Sequence, residues 1–166
     1  RIFAIYEGTT GIQSLDLLSR KITMHNGKAL ELLAGEMKVT IEAALEQPEL
    51  QKYAAALGAK IKETQEVLGS LLPYAAKGEY ERFLADANIF MEYFSTLVVA
   101  WQWLQMGVTA KQLSITAAGN FTDDYLEGIL HTMRFYFTYE VPKMNGLVEI
   151  MRNDEELTLL KEKAHF

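Results

Sequence analysis

The residues best suited to chemistry stand near the amino end of the sequence. Glu7 lies between Tyr6 and Gly8 and leads straight into Thr9-Thr10-Gly11-Ile12-Gln13. Thr is a helix-capping residue type. If a helix starts here, the amides of Thr9, Thr10, Gly11 and Ile12 point out of its amino end, towards an anion or an acceptor-rich cofactor. The glycines let another backbone or a ligand approach closely. The pattern therefore sets one carboxylate beside a helix start that could hold something negative. On spacing alone, a plain carboxylate in an extended segment with Thr9 as an ordinary cap is the commoner meaning of such a stretch.

Other polar residues suggest less. Glu162 and His165 have the spacing used by one half of a carboxylate-bridged di-metal site, but that site needs the pair twice and two further carboxylates. The pair occurs once, in the polar stretch Lys161-Glu-Lys-Ala-His165, so no metal site is expected. His131 follows Glu127 by four residues, the spacing of a helix ion pair. His25 falls in a turn.

Composition limits what these residues could serve. The chain has 166 residues, 49% of them hydrophobic, and three Pro, enough for one buried core. A formal charge of -6, with no cluster of Lys or Arg, argues against nucleic acid as a partner. Without Cys there is no disulfide framework or thiolate metal site, and no charged segment with an apolar signal core opens the chain. A cytoplasmic location is expected. Ile89 to Val108 is about as long as a bilayer span, but Glu92, Gln102 and Gln105 interrupt it, so no membrane span is expected.

The elements that must position Glu7 are helices. After Gln13, the run Ser14 to Lys21 favours helix and closes at the turn signal Asn26-Gly27. Leu30, Leu33, Met37, Ile41 and Ala44 make one face of a helix over about Lys28 to Glu46. Pro48 suits the first turn of the next, whose face is Leu50, Tyr53, Ala54, Leu57, Ile61, Leu68 and Leu71, ending near Pro73. Tyr80, Phe83, Leu84, Ala87, Met91, Phe94, Val98 and Trp101 form a third stripe. Thr122 or Asp123 can cap a fourth helix that turns Leu126, Ile129, Leu130, Met133 and Phe137 inward, and Pro142 should kink or end it. Arg134 to Tyr139 is rich in strand-favouring residues, yet the stripe enters it in phase, so it is assigned to helix. The expected fold is all-α: an antiparallel bundle of about four long helices preceded by a short segment and one further helix.

Tyr6-Glu7-Gly8-Thr9-Thr10-Gly11-Ile12-Gln13, with Ser14 to Lys21 behind it, closely resembles the segment of FAD-dependent acyl-CoA dehydrogenases that carries their catalytic base. It is most similar to the longer branch that includes 3-methylmercaptopropionyl-CoA dehydrogenase, whose members have an extra helical domain after this motif. Trp101-Gln-Trp-Leu and Arg134-Phe-Tyr-Phe look like features of that domain. The resemblance implies two parts: residues 1–25 as the end of the flavin-binding helical domain, and residues 26–166 as the appended bundle. It also implies a C-terminal piece of a longer enzyme, in keeping with the missing first Met.

By this resemblance Glu7 is the base that removes the α-proton of an acyl-CoA while the β-hydrogen leaves as hydride to FAD. Desolvation must raise the basicity of such a carboxylate, and its oxygen must lie within reach of the carbon-bound proton. The Glu7 amide would help polarise the thioester carbonyl, Tyr6 and Gly8 would line the acyl thioester, and Thr9, Thr10, Gly11 and Gln13 would contact FAD. Many family members carry a basic residue where this chain has Ser14, so any contact made by that residue is missing here. The implied partners are acyl-CoA, an electron-transferring flavoprotein and further copies of the chain, and FAD is not expected to stay on this stretch alone. The alternative is an autonomous helical module for interaction or oligomerisation, without catalysis of its own.

Overall fold

The computed structural model describes residues 9–116, 121–153, 155 and 159, and all regular structure among them is helical. Helix α1 is Thr10–Asp16 and runs on through a widened turn at Leu17–Lys21. Then follow α2 (Met24–Leu45), α3 (Gln51–Ala76), α4 (Tyr80–Leu84), α5 (Ala87–Thr116), α6 (Asp123–Phe135) and α7 (Met144–Met151). α2, α3, α5 and α6 are the four long rods. The packed pairs α2–α3 and α5–α6 are joined by short connections, which forces each pair antiparallel. Among the described residues no helix is long and apolar enough to cross a membrane.

The helix boundaries follow local chemistry. His25, Asn26 and Gly27 have φ of 50, 56 and 78°, a left-handed corner that Asn and Gly tolerate best, so regular α2 begins at Lys28 as the sequence predicts. Pro48 lies outside α3. The Leu50 amide donates to the Gln47 carbonyl at 2.9 Å, which makes Pro48 the second residue of a β-turn, where its fixed φ fits. Pro73 does not end α3, because a proline one turn from the terminus removes only one late hydrogen bond. The stop comes at Gly78, with φ of 81°, where the Glu79 amide donates to Tyr74 and the Gly78 amide to Ala75, the Schellman pattern.

At α6 the Thr122 hydroxyl accepts from the Tyr125 amide at 3.3 Å, and Asp123 and Asp124 occupy the positive end of the helix. The aromatic run from Arg134 to Tyr139 is helical. It widens over Tyr136–Glu140 and tightens over Val141–Lys143, which accommodates the missing amide of Pro142 before α7 begins.

The core centres on α5, which packs against α1, α2, α3, α6 and α7. Phe90, Tyr93, Leu97, Ala100, Leu104 and Val108 are its buried line. The expected stripe of Met91, Phe94, Val98 and Trp101 flanks that line and is half-buried. Helix α4 ends ahead of Ala85–Asp86, while Phe83 and Ala87, both expected inside, are buried and lead into Phe90 at spacings of four and three. Two buried hydroxyl contacts tie the rods together. The Trp101 indole donates to Thr40 at 2.8 Å, and the Tyr93 hydroxyl reaches the Lys60 carbonyl at 3.0 Å. α7 is held to α3 by Lys60–Asn145 at 2.6 Å and Arg152–Glu66 at 2.8 Å.

Gly107 faces α6 closely: a Cβ there would collide with the sulfur of Met133, a residue 1% exposed. Gly107→Val is therefore expected to lower unfolding free energy by about 2–3 kcal/mol, from overpacking. Chemical denaturation followed by circular dichroism checks this, and an unchanged midpoint would contradict the close approach.

Candidate functional site

Of the residues singled out in the sequence, Tyr6, Glu7 and Gly8 lie outside the described residues, as do Glu162 and His165. Thr9, Thr10, Gly11 and Gln13 fall together on the first turn of α1. Thr9 is the residue before the helix, with φ of -120° and ψ of 10°. Its hydroxyl does not cap a backbone amide but accepts from the Gln13 carboxamide at 3.0 Å. The Gln13 amide donates to the Thr9 carbonyl at 2.8 Å, closing the first described turn.

That turn presents its outer side to solvent. Thr9 to Gln13 are all exposed, Ile12 at 68%. Among the described residues nothing lies within 4 Å of where a Cβ on Gly11 would stand, so internal packing gives no reason for glycine there. An open glycine leaves room for another backbone or a ligand to approach. Two hydroxyls, a carboxamide and an open glycine on one helical turn make a donor set suited to one edge of an acceptor-rich molecule such as FAD.

The inner side of α1 is anchored. Ser14 and Leu18 are buried at 1% and 0% exposure, and both face α5. The Ser14 hydroxyl lies 2.8 Å from the Gly11 carbonyl and 2.5 Å from Asn88 Oδ1, in the first turn of α5. A long basic side chain would not fit in Ser14's place without displacing Asn88. Arg20 instead sits on the surface of the widened turn and pairs with Asp16 through two contacts of 2.5 and 2.9 Å. That hydrogen bond holds the Asp16 carboxyl below the usual carboxylate range. The widened turn keeps α1 in step with α5: the Ile22 amide donates to Leu17 at 3.0 Å, five residues back, which brings Ile22 inward at 5% exposure.

Elsewhere the polar groups are structural. Glu127 pairs with Arg134 and not with His131. No group of three or more His, Cys, Asp or Glu able to hold a metal occurs among the described residues. An apolar cavity of about 340 Å³ opens between α2, α3 and α5, lined by Leu30, Met37, Ile61, Leu68 and Phe94 among others. Sequence reasoning passed over Asn88; a contact between residues 74 positions apart leaves no spacing signal.

An all-α bundle with an exposed polar turn at its head defines a class, and the sequence comparison names it. The family described as acetyl-CoA dehydrogenase C-terminal like matches residues 33–160, and the chain belongs to that family. It is also 24% identical, over 172 aligned positions, to the broad-specificity linear acyl-CoA dehydrogenase FadE5 of Mycobacterium tuberculosis. The alignment covers 99% of this chain and 28% of the relative, so the chain spans little more than a quarter of the length of that enzyme.

Asp86 stands just ahead of α5, and partial burial pushes its carboxyl above the ordinary value of 3.8. A raised folded pKa means that ionisation costs the native state more than the unfolded one. The stability held by the protonated form is complete below the ordinary value and is lost as pH rises through the raised one. Asp86→Asn is expected to raise the melting temperature at pH 7 and to leave it unchanged near pH 3; an equal change at both pH values would contradict the burial effect.

Proposed function

We propose that the chain works as the C-terminal part of an FAD-dependent acyl-CoA dehydrogenase, an oxidoreductase that converts an acyl-CoA to its 2-enoyl-CoA. The observation that carries this is the first turn of α1, exposed from Thr9 to Gln13 and bearing an open Gly11, directly behind Tyr6-Glu7-Gly8. Family membership and the similarity to a broad-specificity linear acyl-CoA dehydrogenase support it.

On this proposal residues 1–25 close the flavin-binding helical domain and residues 26–166 are the appended bundle. Within the longer-chain enzymes the motif most resembles the branch of 3-methylmercaptopropionyl-CoA dehydrogenase. Glu7 takes the α-proton, with basicity raised once substrate expels water from the site. The Glu7 amide donates to the thioester oxygen as charge develops there, while Tyr6 and Gly8 line the thioester. Thr9, Thr10, Gly11 and Gln13 hold one edge of FAD, and when bound FAD supplies the acceptor for the β-hydride. One helical turn offers too few contacts to retain the cofactor without the other domains. The enzyme acts in the cytoplasm on this proposal and passes electrons to an electron-transferring flavoprotein.

A role in subunit contact stands beside catalysis. Phe121 and Tyr125 stack with ring centres 5.5 Å apart, Phe135 and Tyr139 pair at 4.8 Å, and all four are more than 45% exposed. Exposed aromatic pairs of this kind suit an interface between copies, so a homo-oligomer is part of the proposal.

Glu7→Gln in the full-length enzyme keeps size and hydrogen-bonding capacity and removes the basic oxygen. It is expected to lower the rate of flavin bleaching by acyl-CoA by about a hundred- to ten-thousand-fold, the usual contribution of a general base, with flavin content unchanged. Anaerobic mixing, together with α-proton exchange into heavy water, reads both steps. Bleaching and exchange at the unmodified rate would remove Glu7 as the base.

A further inference from the structure

The first turn of α1 has no apolar anchor of its own, because every side chain from Thr9 to Gln13 is exposed. Its apolar anchors lie a turn further on, at the half-buried Leu17 and the fully buried Leu18. What holds the leading end down is Ser14, 1% exposed, whose hydroxyl sits between the Gly11 carbonyl at 2.8 Å and Asn88 Oδ1 at 2.5 Å. Gly11 belongs to the exposed turn, and Asn88 belongs to the long central helix of the bundle. The contact therefore links the turn that follows Glu7 to the most heavily packed element of the fold.

We propose that Asn88 is a positioning residue for the thioester site: acting through Ser14, it clamps the first turn of α1 to α5 and so fixes the turn that follows Glu7 in the sequence. The inference rests on the reading of Glu7 as the base. A general base works only within hydrogen-bond reach of the proton it removes, and a misplacement of about 1 Å can cost a hundredfold in rate. A turn pinned on one side by a part-buried hydrogen bond and open on the other can receive cofactor and thioester without shifting. The appended bundle then contributes to catalysis by position.

Asn88 is itself exposed, so its replacement leaves the core intact and the variant folds. In the 166-residue chain, Asn88→Ala is expected to speed amide hydrogen exchange in a peptide spanning Gln13 to Leu17 by about tenfold, the upper range for one hydrogen bond. Peptides from α3 and α6 should keep their protection. Ser14→Ala should match it, and the double variant should exceed neither single variant. Asn88→Asp keeps the acceptor oxygen and should restore slow exchange.

In the full-length flavoprotein, Asn88→Ala is expected to lower kcat about tenfold with flavin absorbance unchanged and the acyl-CoA KM within about twofold, and Asn88→Asp to recover kcat. Exchange that Asn88→Ala leaves unaltered would overturn the clamp. Faster exchange with unaltered kcat would overturn the positioning role, since α1 would then be held without placing the base. Glu7→Gln is measured separately: full activity there would sink the base reading, and the positioning role with it, while the exchange result would still report the clamp itself.

Discussion

A helix enclosed on several sides can keep only narrow polar strips, and every neighbour it has must match its surface. α5 is under that constraint. It carries Phe90, Tyr93, Leu97, Ala100 and Leu104 inward, and α1, α2, α3, α6 and α7 all pack on it. With no cysteine in the chain and no metal-binding group among the described residues, burial against this one helix supplies most of what holds the others. The polar atoms drawn in with it are paired. Tyr93 meets the Lys60 carbonyl and Trp101 meets Thr40, which avoids the cost of leaving a buried donor unmatched. Burial, first, and the neighbouring Glu63 carboxylate push the Tyr93 phenol far above its ordinary pKa.

The long helices and their faces were legible in the sequence wherever a helix has one wet side. α6 shows this best: Leu126, Leu130 and Met133 are buried as the period requires, and Thr122 caps the helix. The period misled where wetness is scarce. On α5 the stripe through Met91, Phe94 and Val98 looked as apolar as the true line through Phe90, Tyr93 and Leu97, and with both lines apolar the period alone does not decide between them. The prolines were legible as punctuation but not in detail. Pro48 serves a turn, Pro73 is absorbed into a last helical turn, and Pro142 is met by a change of helical pitch.

For the candidate site, the motif was visible because its residue types are unusual together, and α1 does start at Thr10, although the Thr9 hydroxyl accepts from the Gln13 side chain and caps no backbone amide. The support beneath the motif was not visible. Ser14 looked like a mere departure from a family pattern until its burial showed a small hydroxyl to be the group that fits between α1 and α5. Long-range polar contacts depend on how helices cross, and crossing geometry is written in packing, not in spacing.

The length of α5 has a mechanical consequence. Its 30 residues make a rod of about 45 Å at the usual rise per residue, with Asn88 at one end and the exposed rings of Phe121 and Tyr125 beside the other. Such a rod is a lever. A tilt of one degree about its far end displaces the Asn88 end by about 0.8 Å over that length, comparable to the tolerance of a proton-transfer geometry. Whatever packs against the remote end of the bundle therefore acts with a long arm on the place where α1 begins.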